Sequence, residues 1–149
     1  MKLLITGACG HIGSYLAQNI HKIKKVKKCY LIDNIKTTNI NSLFKSKKKN
    51  KLKFYITDLT KKDSLDNFKD VDCIIHLASM TNAASSFKRK KEMYDNNLKC
   101  MKNIINFCIK RKVKLIHISS TSIYGKSSNF VNESDTHLIK PQSPYAEIK

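Results

Sequence analysis

Short apolar runs alternate along the chain with longer stretches in which hydrophobic residues recur at helical spacing. KLLIT (2–6), CYLID (29–33), KFYIT (53–57), DCIIHLA (72–78) and KLIHISS (114–120) predict buried strands. HIGSYLAQNIHKI (11–23) and YDNNLKCMKNIINFCIKR (94–111) predict helices, the second carrying Leu98, Met101, Ile104, Ile105, Cys108 and Ile109 on one stripe. Strand and helix alternating throughout predict an α/β fold, a parallel sheet of about five strands flanked by helices. The connection 37–51 is polar and lysine-rich, with a short helix expected around INSLF (40–44). Over 125–143 the periodicity lapses into turn-forming residues, and a loop is expected.

The length of 149 residues suits one domain with a core of its own. With 41% hydrophobic residues, two prolines and four glycines, the composition is globular rather than disordered. No apolar run is long enough to span a membrane, and the opening MKLLITGACG breaks at Gly7 too early for a signal peptide. A soluble cytoplasmic protein without a membrane partner is therefore expected. The five cysteines are odd in number, scattered and free of Cys-x-x-Cys spacing, which predicts buried thiols and no metal.

A net charge of +18 raises the question of nucleic acid. The charge is nearly all lysine, in clusters such as HKIKKVKK (21–28), KSKKKNKLK (45–53) and KRKK (88–91) that fall between the apolar runs. No aromatic residues interleave with these clusters to stack on bases. Weak, salt-sensitive binding is expected, and a specific nucleic-acid partner is not.

Directly after the first strand, ITGACGHIGS (5–14) places Gly7, Gly10 and Gly13 at the start of the first helix. A turn this tight needs residues without Cβ, and a pyrophosphate needs close approach to the N–H groups at the helix's positive end. Asp33 follows twenty residues beyond Gly13, at the end of the second strand, placed to accept from an adenosine ribose. Its charge repels a 2′-phosphate, so NAD is favoured over NADP, with nearby Lys36 softening the preference.

Taken in order, TGACGHIG, LIDN, TDLT, HLAS, YDNNLKCMKN, SSTSIYG and PQSPYAEIK resemble the extended short-chain dehydrogenase/reductases. These are the NAD-dependent epimerases and dehydratases of nucleotide sugars. Within them, YDNN and SSTSIYG look most like UDP-glucose 4-epimerases. The resemblance covers the whole chain and implies a Rossmann-like doubly wound sheet. It implies that Gly7, Gly10, His11, Ile12 and Gly13, then Asp33 and Asn34, then Asp58 and Leu59, and finally Leu77, Ala78 and Asn97 bind the cofactor. It makes Asp58 an adenine contact, where a plain helix N-cap is the alternative, and His76 a structural residue. It implies that Ser120 is the catalytic hydroxyl and that Tyr145 and Lys149 are the catalytic base and its cation, both also touching the cofactor. A neighbouring cation favours a phenolate, and a spacing of four places both side chains on one helical face. The family's 4,6-dehydratases carry an Asp-Glu pair where this chain has Thr121 and Ser122, which disfavours loss of water. Met80, Thr81, Asn82 and Ser86 are candidates to touch a sugar.

Family members are longer and continue beyond the catalytic lysine into a further strand and a nucleotide-sugar domain. Residues 1–149 are accordingly expected to form an incomplete NAD-binding domain with the substrate domain absent. The leading reading is the cofactor-binding half of an NAD-dependent nucleotide-sugar epimerase, a UDP-sugar being the substrate of the complete enzyme and a homodimer its assembly. Weakened NAD binding and little turnover are expected of this length alone. The alternative is a stand-alone NAD-binding regulatory module without catalysis.

Overall fold

The computed structural model describes residues 1–36, 43, 51–81, 86–125 and 130–149. The helix expected around 40–44 lies outside these apart from Leu43, as does Asn82. The described residues form two compact units, one comprising Met1–Ser79 with Lys99–His117, the other Met80–Leu98 with Ile118–Lys149.

Five parallel strands make up the sheet of the first unit: β1 (Lys2–Thr6), β2 (Lys28–Asp33), β3 (Leu52–Ile56), β4 (Cys73–His76) and β5 (Lys114–His117). Their spatial order is β3-β2-β1-β4-β5. The chain thus winds outward from β1 to β3, then returns to the far side of β1 for β4 and β5. The reversal between β1 and β4 is the point at which open α/β sheets receive ligands, at the carboxyl ends of the strands.

Alternating side chains on the central strands feed two cores. Leu3, Ile5, Leu31 and Cys73 pack with Ala17 and Ile20, which belong to α1 (His11–Asn19) and the 3-10 turn continuing it (Ile20–Lys22). Leu4, Ile32 and Ile74 pack on the other face with Cys100, Ile104, Phe107 and Cys108 of α2 (Lys90–Arg111). All five cysteines are buried and free. Burial pushes the thiols up, to about 11 at Cys9 and Cys100 and about 12 at Cys29, so they behave as small apolar side chains. Among the described residues no helix is long and apolar enough to cross a membrane.

Three expectations need correction. β3 and β5 are not buried strands, because they are the outermost in the sheet; Tyr55, Ile56 and Ile116 are exposed. Strand and helix do not alternate throughout: the crossover from β3 to β4 runs as turns and one 3-10 turn, Asp66–Phe68. Leu65, Phe68 and Val71 recur there every third residue, a spacing that suits a 3-10 turn better than an α-helix, and all three are buried.

α2 buries only part of its expected stripe: Ile104 and Cys108 are in the core and Met101 is half-buried. Its buried row is Met93, Asn97, Cys100, Ile104, Phe107 and Cys108, whereas Leu98, Ile105 and Ile109 are exposed. The row through Met93 runs the length of the helix, and the row through Leu98 covers only its second half, so burying the former removes apolar surface along every turn.

The two rows make opposite predictions for truncation. Ile104→Ala should destabilise the chain by about 2–4 kcal/mol in denaturant unfolding. Ile109→Ala, at a side chain 72% exposed, should stay within about 0.5 kcal/mol. Equal losses would mean that the helix also buries the face carrying Ile109.

Candidate functional site

At the end of β1 the backbone turns through Gly7, whose φ of +64° favours glycine. A Cβ here would lie 2.8 Å from the amide N and 2.9 Å from the Cα of Ala78, and 2.9 Å from the Leu77 carbonyl carbon. At Gly13 a Cβ would collide with the Gly7 carbonyl oxygen. The first turn of α1 therefore lies directly against the loop that leads into it. Gly10 is the N-cap of α1 and no side chain caps it, so the positive end of the helix is presented by backbone alone. A cradle that a Cβ would fill, at a helix start left to backbone donors, fits a pyrophosphate. His11 and Ile12 on its first turn are exposed.

Thr6, just before this turn, clamps β1 to the end of β4. Its hydroxyl oxygen accepts from the backbone N–H groups of Leu77 and Ala78, each at 3.0 Å. With two donors directed at the oxygen, the hydroxyl proton goes to Nδ1 of buried His76, 2.8 Å away. The His76 ring stacks on His117 of β5, with centroids 5.7 Å apart. His76 acts as a strand-end brace.

Asp33 is buried at the end of β2. Its Oδ2 accepts from the Cys9 N–H and its Oδ1 from the Ile35 N–H, both at 2.9 Å. The carboxylate thus ties the glycine loop to the end of β2. Asn34 beside it accepts from the Lys36 N–H at 3.1 Å. Lys36 Nζ lies 3.4 Å from Asp58 Oδ2, so the nearby cation expected to soften the Asp33 preference is paired with Asp58. Asp58 Oδ1 also accepts from the hydroxyl and the N–H of Thr60, at 2.7 and 3.0 Å. These Thr60 bonds, more than Lys36, hold the Asp58 carboxyl below the usual range. The alternative N-cap does not apply, because Asp58 heads a turn closed by the Lys61 N–H rather than a helix. Leu59 beside it is buried.

The second unit gathers the remaining candidates. Asn97 is buried and makes two bonds to Met80, accepting from its N–H at 2.8 Å and donating to its carbonyl at 3.1 Å. Ser120 caps a 3-10 turn, Thr121–Tyr124. Its oxygen accepts from the Ser122 N–H at 3.2 Å and lies 2.8 Å from the Ser122 hydroxyl. Tyr145 occupies α3 (Pro144–Ile148), which Ser143 caps by accepting from the Ala146 N–H. Lys149 follows directly, with its Nζ 5.8 Å from the Tyr145 ring centroid and donating to the Ile118 carbonyl at 3.0 Å. Burial holds the Lys149 ammonium below the ordinary lysine range. Tyr145, Lys149 and the segment leading to Ser120 are therefore brought together. Tyr94 of α2 hydrogen-bonds to Glu147, on the same short helix as Tyr145. Of the sugar candidates, Ser86 is fully buried and Thr81 is exposed.

Sequence reasoning missed the Thr6 clamp, the Ser122 bond and the Ser143 cap. Only the last had a local signal, a serine preceding a proline at the first helical position.

Residues 3–149 match the model of a family described as "NAD dependent epimerase/dehydratase family". The dTDP-D-glucose 4,6-dehydratase of Dictyostelium discoideum is 31% identical over 99% of this chain and 38% of its own length. The UDP-glucose 4-epimerase of Halalkalibacterium halodurans is 27% identical over 100% and 43%. The chain spans less than half the length of these curated relatives. Among solved structures, a dTDP-glucose 4,6-dehydratase from Streptomyces venezuelae with NAD bound superposes with a TM-score of 0.91 at 24% identity, over 100% of this chain and 48% of that one. A UDP-N-acetylglucosamine 4-epimerase from Methanobrevibacter ruminantium M1 gives 0.86 at 26% identity, over 99% and 46%. The chain belongs to the NAD-dependent epimerase/dehydratase family, whose cofactor is NAD.

Proposed function

We propose that residues 1–149 form the NAD-binding domain of an NAD-dependent nucleotide-sugar epimerase, with a UDP-sugar as the substrate of the complete enzyme. The observation that carries the reading is the grouping of Tyr145, Lys149 and Ile118, two residues before Ser120. The backbone of Gly7, Gly10, His11, Ile12 and Gly13 holds the pyrophosphate, and Asp33 and Asn34 receive the adenosine ribose. Asp58 and Leu59 face the adenine, Leu77 and Ala78 line the cofactor, and Asn97 is a further cofactor residue.

When bound, NAD supplies a hydride acceptor. Tyr145 would take the proton of a sugar hydroxyl as the carbon bearing it gives up its hydrogen to that acceptor. Lys149, over the tyrosine ring, stabilises the phenolate that accepts this proton. Ser120 accepts from the Ser122 N–H and shares a hydrogen bond with the Ser122 hydroxyl; with that hydroxyl donating to it, the Ser120 proton is left to hold the sugar oxygen. Thr121 and Ser122 offer hydroxyls and no carboxylate, which supports epimerisation over loss of water although relatives include dehydratases. The exposed row of Leu98, Ile105 and Ile109 on α2 supports a homodimer.

Calorimetric titration should detect NAD and find NADP at least about tenfold weaker, because a 2′-phosphate meets the Asp33 charge. Gly7→Ala should abolish both, and Asp33→Asn should narrow the difference. Equal affinities in the unaltered chain would refute the assignment of Asp33.

In the complete enzyme, Tyr145→Phe should lower turnover of a UDP-hexose by about 10²–10⁴-fold with little change in NAD affinity. Unchanged turnover would remove Tyr145 from the chemistry and favour a binding module. Lys149 should titrate below the ordinary lysine range when its side-chain 13Cε shift is followed through alkaline pH. Because its amine is depressed in the folded state, the unfolded chain binds more protons between the two pKa values, and Lys149 makes stability rise with pH across that window.

A further inference from the structure

One buried-face neighbour of α2 has no part in the proposed chemistry yet reaches the edge of the cofactor site. Asn103 lies one residue before core Ile104, and its amide Nδ2 donates to the Leu59 carbonyl at 2.8 Å and the Lys61 carbonyl at 3.2 Å. Both acceptors belong to the turn that begins at Asp58. Two of that turn's carbonyls are thus held by one side chain more than forty residues away in sequence.

The position of the turn gives these bonds a purpose. The glycine cradle closes β1, Asp33 closes β2, and the Asp58 turn follows β3, so each lies one strand further out along the same carboxyl edge. Adjacent strands are about 4.8 Å apart. A dinucleotide with its pyrophosphate on the cradle and its ribose at Asp33 therefore presents its adenine to Asp58 and Leu59. The Thr57 N–H donates to the Asp33 carbonyl at 2.9 Å, which fixes the start of the turn against the ribose position. Thr60 holds the Asp58 carboxylate from within the turn. Asn103 holds the opposite side, where the backbone carbonyls would otherwise be free to rotate.

We infer that Asn103 is a positioning residue for adenine recognition, acting through the Asp58–Lys61 turn rather than by touching the nucleotide. The inference rests on the proposed placement of the adenine. An asparagine amide suits this task because its two N–H groups serve two carbonyls at once, whereas a carboxylate of the same shape would repel both. Its effect is confined to one end of the cofactor: a ligand without adenosine gains nothing from the turn.

The experiment compares AMP, NAD and nicotinamide mononucleotide as ligands of the chain, with Asn103→Ala and the isosteric Asn103→Asp. Both variants should weaken AMP and NAD by about fivefold to twentyfold, the scale of one or two lost hydrogen bonds. Nicotinamide mononucleotide should change by less than about twofold on the same scale. Unchanged AMP affinity would overturn the inference. So would a loss of nicotinamide mononucleotide in step with AMP, since that is what general damage to α2 produces. Asp58→Ala separates the two layers of the argument: if it leaves AMP binding intact while NAD still binds, the adenine lies elsewhere and the role of Asn103 falls with it. If Asp58→Ala weakens AMP and the Asn103 variants do not, the placement stands and only the role of Asn103 is lost.

Discussion

Everything at the carboxyl edge of the sheet depends on how closely the end of β1 approaches the end of β4. Gly7 lies so near the Leu77–Ala78 backbone that one added carbon would overlap it, and Thr6 holds the approach by serving two N–H donors with one oxygen. The two features need each other. Without the hydroxyl, two backbone N–H groups beside a buried strand end would lose their acceptor, at a cost of about 1–3 kcal/mol each. Without the glycine, the strand ends could not come close enough for the hydroxyl to reach. His76 completes the clamp by accepting the one proton that Thr6 has left.

From that junction the carboxyl edge extends outward by a series of backbone ties. Asp33 spends both oxygens on N–H groups, one in the glycine loop and one just after β2. Asp58 repeats the device in the turn after β3. In each case a short acidic side chain orders its own loop while keeping a negative group at the strand end. The same residues are thereby scaffold and candidate contact, so a loop and its ligand preference are set together. The cysteines contribute the opposite quality: their protons are held by burial, leaving the site's chemistry to oxygen and nitrogen groups.

How much of this was legible follows from whether each signal is local. The central strands were plain because both faces are buried and the runs are nearly continuous in apolar residues. The glycine cradle was plain because a left-handed turn and a close approach admit few residue types. β3 and β5 carried the same apolar runs, but position in the sheet rather than composition decides burial, and position is not written in the run itself. The face of α2 was legible only in part, for a related reason. Two apolar rows compete on that helix, and the choice lies in tertiary packing along its whole length. Thr6, Asn103 and Ser122 act over contacts or turns that no periodicity records.

α3 brings the same lesson to the candidate chemistry. Five residues are too few to sustain a helix by propensity, since nucleation costs more than so short a run returns. Its form comes from Ser143 at the N-cap, Pro144 already at a helical φ, and Ala146 buried at 3% exposure. The Tyr94–Glu147 hydrogen bond, with Lys90 3.7 Å from the same carboxylate, ties it to the first turns of α2. That pair gains little as an exposed ion contact. Its effect is geometric: Glu147 stands midway between Tyr145 and Lys149, so fixing it fixes the rotation of the turn that carries both. The spacing Tyr-x-x-x-Lys therefore yields a shared face only because neighbouring residues force the turn to be helical, and the geometry of the Tyr145–Lys149 pair depends on α2 as much as on its own sequence.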